Sequence, residues 1–246
     1  KLKSIYLGGG TPSLLTDAQI FRLQQLFKKY NVTALEISIE IHPKICNFDY
    51  ENNHFFTRYS IGIQTLETKE AKKYNRLISD YLELIEMIRK IKKSKYPKIL
   101  NLDFIFNKKI SIKNIDFVNY INPDTVTFYP NTKGRGVIRL RNVIEELKKV
   151  KKYLKNYQTL GESKHIFLTN NELQSIYSKV QYEENGDIVG IGHNSISYIN
   201  NDSYLCIYNE KEILFKNRIK KGERILTSLL MGITTGVLKK YLVTYM

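Results

Sequence analysis

The chain has no tryptophan, only two cysteines, four histidines and five prolines among its 246 residues. Two distant cysteines, Cys46 and Cys206, exclude a disulfide scaffold, a CxxC redox pair and a four-cysteine metal site. Cys46 follows a Pro-containing loop and reads as a lone cysteine of the buried type. None of His42, His54, His165 and His193 stands at HxxH, HxH or HExxH spacing, so the residues predict no metal site. Ser195 is not in a GxSxG elbow, and neither GxGxxG nor GxxxxGK[ST] occurs. No apolar run approaches the roughly 20 residues of a membrane span, and no charged-then-apolar leader opens the chain. A cytoplasmic protein with no membrane partner is therefore expected.

Acidic residues are also scarce. Lys+Arg number 39 against 24 Asp+Glu, a net charge of +15 with a sequence pI near 9.5. Such a charge is compatible with nucleic acid. The lysines, however, are spread in pairs such as Lys28-Lys29, Lys92-Lys93 and Lys148-Lys149, on the polar sides of expected helices. That distribution favours solvated faces over a polyanion site. A composition of 42% hydrophobic and 26% charged residues excludes disorder.

The chain alternates between strand and helix patterns. Ser4–Leu7 is a short apolar run stopped by Gly8-Gly9-Gly10. Thr16 and Gln19 have capping-box spacing, followed by Ile20, Leu23 and Phe27 on one helical face. Strands are predicted at 34–41, 59–63, 99–106 and 125–129, and helices at 81–91, 110–120 and 142–154. Gly186–Ile199 reads as an apolar strand interrupted by glycines, and 223–238 as a final helix. The stretch 161–179 has no clear period. Such alternation predicts an α/β fold with parallel strands, doubly wound or a barrel. The boundary is expected at residue 200, with a helical region starting at 201–246.

Ligands in either architecture lie at the carboxyl ends of the strands. Those ends carry Gly8-Gly9-Gly10-Thr11-Pro12, Glu40, Gln64, Asp103 and Tyr129-Pro130-Asn131-Thr132. Glycines there let the backbone approach a ligand closely, and Arg76 is a basic candidate for an anionic group. Five consecutive strand ends collecting small or hydrogen-bonding residues predict a ligand site on one rim.

The segments Ser4–Leu14 (SIYLGGGTPSL), Glu36–Pro43 (EISIEIHP), Tyr59–Leu66 (YSIGIQTL), Asn75-Arg76, Asn101–Ile105 (NLDFI), Asn122-Pro123-Asp124 and Gly190–Ser197 (GIGHNSIS) occur in order. Together they resemble the radical S-adenosylmethionine family of oxygen-independent coproporphyrinogen III oxidase, which also includes the heme chaperone HemW and HemN-like radical methyltransferases. The resemblance covers about residues 1–235. It implies an incomplete (βα)6 TIM-like barrel whose first βα unit, about 50 residues by the length of one such unit, is missing, with the start of a C-terminal helical extension.

The resemblance further implies S-adenosylmethionine as cofactor. Gly9, Gly10 and Thr11 would meet its methionyl amino group, and Glu40 its ribose hydroxyls. Gln64, Arg76 and Asp103 match contacts to a second S-adenosylmethionine, and Thr132 and Ile196 contacts to the adenosyl group. A [4Fe–4S] cluster, held in the family by a CxxxCxxC loop absent here, is implied for the full-length protein. The implied partners are a tetrapyrrole or other small substrate and an electron donor such as flavodoxin or ferredoxin. The implied activity is radical oxidoreductase chemistry of the coproporphyrinogen dehydrogenase type, with this chain alone inactive. The alternatives are a heme chaperone, a radical C-methyltransferase and, on charge alone, a nucleic-acid-binding protein.

Overall fold

The computed structural model describes residues 2–73, 81–96, 98–131, 140–159, 166–169, 175–180, 186–192, 195–199, 202–209 and 211–218. The chain divides into two units, Lys1–Ile176 and Tyr177–Met246. In the first, β1 (Leu2–Leu7), β2 (Ala34–Ile41), β3 (Arg58–Gln64), β4 (Ile99–Phe106) and β5 (Thr125–Pro130) lie side by side and parallel in that order. They form a curled half-barrel. Helices α1 (Asp17–Lys29), α2 (Thr68–Lys73), α3 (Tyr81–Lys93) and α4 (Ile112–Ile121) make the crossovers, and α5 (Leu140–Tyr153) follows β5. Among these five parallel strands, β2 and β3 are joined without a helix, by a loop that contributes Phe48 and Phe56 to the core.

Period-two alternation explains why these segments become strands with two different faces. One set, including Ile39, Ile41, Tyr59, Ile61, Ile63, Leu100, Leu102, Phe104, Val126 and Phe128, is buried with Ile20, Leu84, Ile88, Ile115 and Val118 of the helices. Phe104 and Phe128 stack at 5.2 Å. Each such side chain contributes about 1.5–3 kcal/mol through burial. The alternate set is polar and faces into the curl: Tyr6, Glu36, Ser38, Glu40, Arg58, Ser60, Asn101, Asp103, Thr125 and Thr127. Most TIM barrels fill this space with branched apolar residues.

The local signals hold in several places. Thr16 forms both hydrogen bonds of a capping box with Gln19. Ser111 caps α4, and Asn122 closes it in the left-handed region. The lysine-rich faces are less idle than expected. Lys92 Nζ donates to the carbonyls of Ile121 (2.7 Å) and Asn122 (2.9 Å) at the C-terminus of α4, and Lys149 Nζ donates to that of Ile110.

Two elements depart from the sequence reading. In the unread stretch, β7 (Ile166–Thr169) pairs antiparallel with β5 and with β6 (Gln158–Thr159), so the sheet changes direction at its end. Among the described residues of 186–199 the strand is β8 (Ile196–Ile199), since glycines such as Gly186 and Gly192 weaken a longer ladder. It pairs antiparallel with β9 (Asp202–Asn209), which pairs with β10 (Lys211–Arg218). These strands occupy the beginning of the expected helical region; the helix at 223–238 lies outside the described residues. No helix among the described residues is long and apolar enough to cross a membrane.

Candidate ligand-binding cleft

The carboxyl ends of β1 to β5 surround a cavity of about 210 Å³. Its walls include Gly10, Thr11, Glu40, Gln64 and Asp103, five of the residues singled out in the sequence, together with Tyr6, Ser60, Gly62 and Tyr129. Gly9 adjoins it: its N–H donates to Glu40 Oε2 at 3.3 Å. Arg76 and Thr132 lie outside the described residues. Ile196 falls in β8 of the second unit.

The turn after β1 requires its glycines. Gly9 and Gly10 have φ of +75° and +56°, which other residues adopt at a cost. Gly8 is needed for space: a Cβ there would come within 2.6 Å of the Tyr6 ring and 2.9 Å of Glu40 Oε1. The turn can therefore close over the Tyr6–Glu40 pair, in which the Tyr6 hydroxyl donates to Glu40 Oε1 at 2.9 Å. Glu40 is thus held at both oxygens, by Tyr6 of β1 and by Gly9 of the turn that follows it. Burial, reinforced by Asp103 and Glu40, pushes the Tyr6 hydroxyl far above its ordinary value, so it stays a proton donor.

Gln64 sits at a register irregularity between β3 and β4 and has φ of +68°. The other non-glycine residues with positive φ among those described are Asn31 and Asn122, a residue type that tolerates this region. A glutamine held there at the rim is strained backbone at the place where a ligand would lie.

Beneath the cavity, Asn101 donates from Nδ2 to Asp103 Oδ1 and to Ser60 Oγ, each at 2.8 Å, and Ser60 donates to Asp103 Oδ2. Arg58, 5% exposed, donates from Nη2 to Thr125 Oγ1 at 2.7 Å, while its Nη1 is buried without a partner. Burial raises the Asp103 carboxyl to about 6, against the lowering effects of Ser60, Asn101 and Arg58. Glu36 accepts from Ser4, Ser38, Ser175 and the Ile176 N–H.

Sequence reasoning missed Tyr6, Ser60, Asn101, Arg58 and Glu36. The available signal was polar residues at alternate positions within strands whose other positions are apolar. In a chain of net charge +15, the described inner face sets Glu36, Glu40 and Asp103 against the single cation Arg58. This arrangement favours a ligand carrying positive charge. Cys46 is not among the residues that line the cavity: its thiol is half-buried, pushed up to about 11 mainly by burial. No metal-binding group of three or more His, Cys, Asp or Glu occurs among the described residues.

No family model matches the chain. It is 29% identical to the heme chaperone HemW of Buchnera aphidicola subsp. Schizaphis graminum over 244 residues, which cover 88% of this chain and 62% of that protein. It is 35% identical over 81 residues to the oxygen-independent coproporphyrinogen III oxidase of Escherichia coli (strain K12), covering 30% of this chain and 18% of that protein. Among solved structures it resembles coproporphyrinogen III oxidase (HemN) from Escherichia coli, described as a radical SAM enzyme. The TM-score is 0.69 at 18% identity, covering 95% of this chain and 63% of that one. The chain thus spans somewhat less than two thirds of the relatives' length. It has the TIM-like fold of these proteins and is a homologue of the HemW and oxygen-independent coproporphyrinogen III oxidase group of radical S-adenosylmethionine proteins.

Proposed function

We propose that the cleft binds S-adenosylmethionine and that the chain is part of a radical S-adenosylmethionine protein acting in heme or porphyrin metabolism. The observation that carries this reading is the Gly8–Thr11 turn closed over a fixed Glu40, beside Asp103. S-adenosylmethionine has a sulfonium and an ammonium against one carboxylate, which suits a cleft where described carboxylates outnumber cations. Glu40, held by Tyr6 and Gly9, retains acceptor lone pairs for ribose hydroxyls. The turn offers backbone groups to the methionyl end, and Thr11 adds a hydroxyl. The cavity is smaller than the roughly 300–1,000 Å³ of clefts that bury a drug-sized ligand, so these walls would enclose a portion of the molecule.

When bound, S-adenosylmethionine supplies a 5′-deoxyadenosyl group on a positively charged sulfur. The chain's own residues bind and orient it: Glu40 through the ribose, the glycine turn through the methionyl end, Asp103 through charge. An iron–sulfur cluster does not fit the donor set, since Cys46 and Cys206 are the only cysteines. Calorimetric titration of the chain with S-adenosylmethionine tests the reading. Saturable binding that weakens about tenfold or more in Glu40→Gln is expected; binding indifferent to that substitution would remove Glu40 from the site, and no binding would sink the reading.

A heme-chaperone role is the second reading, and the extent of the sequence matches supports it. The matches to HemW proteins cover 88% and 85% of the chain, whereas those to the oxidases cover 30%. It predicts stoichiometric heme binding by the whole protein, read as a shifted Soret band, without conversion of coproporphyrinogen. Turnover of coproporphyrinogen would favour the oxidase instead.

A further inference from the structure

The hydrogen bonds between Arg58 and Asp103 all run in one direction. Arg58 can only donate, so Thr125 Oγ1 must accept from it and turn its own proton elsewhere. That proton goes to Asn101 Oδ1, 2.7 Å away, the short bond at an oxygen that Thr127 Oγ1 reaches only at 3.4 Å. With its oxygen engaged, the Asn101 amide can present only Nδ2 on the other side, and that nitrogen serves both Asp103 Oδ1 and Ser60 Oγ. Ser60, having accepted, donates to Asp103 Oδ2. Arg58, Ser60, Asn101 and Thr125 are all 5% exposed or less, so no solvent competes to reverse the order. The residues come from three strands, and Arg58 lies at the start of β3, deeper than the cavity-lining Ser60, Gly62 and Gln64.

We propose that Arg58 is a positioning residue for the cleft: as a group that only donates, it fixes the direction of each hydrogen bond to Asp103, so that both oxygens of that carboxylate accept and its charge faces the ligand. A buried guanidinium with Nη1 unpartnered is costly to folding, and this role gives a reason to keep it. Without Arg58, Thr125 is free to turn and the Asn101 amide to flip. A flipped amide would aim Oδ1 at Asp103, an arrangement that only a protonated carboxyl satisfies. The other ionisable groups around the network, Tyr6 from β1, Glu36 and Glu40 from β2 and Tyr129 from β5, are neutral or acidic, and His42, which lines the same cavity, accepts at Nδ1 from the Lys44 N–H, so none of them is a donor-only cation.

The consequence for ligand affinity rests on the reading of the cleft as an S-adenosylmethionine site, but the test of the network does not. In the ligand-free chain, the carboxyl carbons of ¹³C-labelled aspartates are followed by NMR against pH, with Asp103 assigned by its loss in Asp103→Asn. The wild-type midpoint is expected at about 6. Thr125→Val leaves the Arg58 charge in place and cuts the chain of donors; it should move the midpoint up by about one pH unit. Arg58→Met should move it at least as far, whereas Arg58→Lys, still a donor and never an acceptor, should stay near the wild-type value. A midpoint unmoved in Thr125→Val, or moved as far by lysine as by methionine, would overturn the proposal. If wild type fails to bind S-adenosylmethionine while these midpoints shift as described, the reading of the cleft fails and the role of Arg58 stands.

Discussion

Asp103 is the residue where binding and folding pull in opposite directions. Burial holds its carboxyl up near 6, above the ordinary aspartate range. A raised acid favours the folded state while protonated, and that contribution is lost as pH rises through about 6. The charge wanted for a cationic ligand therefore costs stability at neutral pH. Asp103→Asn should melt no lower than wild type at pH 8 and compare less favourably near pH 4.5, as read by thermal unfolding at both values. In wild type, affinity for S-adenosylmethionine should rise as pH increases through about 6; in Asp103→Asn, calorimetry should find it weak and flat. Glu40 is different, because it is fixed by two donors in the free protein. Glu40→Gln should cost about tenfold or more in affinity, the scale of one charged hydrogen bond. The position of Glu40 and Asp103 at the cavity was legible in the sequence because both stand near strand ends. Tyr6 and Ser60 were not, since a tyrosine and a serine inside a strand are ordinary residues until the opposite partner is known.

At the scale of elements, the loops on the carboxyl side of the sheet carry the strain, and the helices carry ordinary stabilising devices. Gln64, in the left-handed region beside a register shift, marks the rim end of β3. Gln64→Gly should stabilise the chain by about 1 kcal/mol, the cost of that conformation for a residue with a Cβ, while weakening S-adenosylmethionine binding. A gain in both would show that the side chain is not used. At α1 the capping box is a local device with a known magnitude, and Thr16→Ala should lower the unfolding free energy by about 1 kcal/mol in a denaturant titration without touching the cleft. Strands β2 and β4 match their sequence-predicted spans because alternation over eight residues is unambiguous. β7 escaped because an antiparallel return to β5 leaves no periodic signature in a four-residue strand.

For the molecule as a whole, the net charge of +15 is a poor guide to function. Lys92 and Lys149 hold backbone carbonyls of neighbouring segments, and Lys98 lies over the Tyr59 ring at 5.6 Å while donating to the Phe56 carbonyl. The described inner face has the opposite character, with carboxylates in excess. A ligand taken up there stabilises only the folded chain. S-adenosylmethionine at one hundred times its dissociation constant should therefore raise the unfolding free energy by about 2.7 kcal/mol. S-adenosylhomocysteine, which lacks the sulfonium charge, should stabilise less at equal concentration; equal shifts by thermal melting would show that the cleft does not sense that charge. Protection measured by hydrogen exchange should fall on β1 to β5, whose ends line the cavity.

The amino-acid sequence determined the parallel strand–helix alternation, the glycine turn after β1 and the rim on which a ligand would lie, because periodicity, turn chemistry and strand ends are local properties. It could not determine that Arg58, Thr125, Asn101 and Asp103 form one directed chain. Those four residues come from three strands, and only sheet order and register put them within hydrogen-bonding distance. The one-way direction follows from a guanidinium that cannot accept, sealed away from water, and that burial is a property of the folded half-barrel alone.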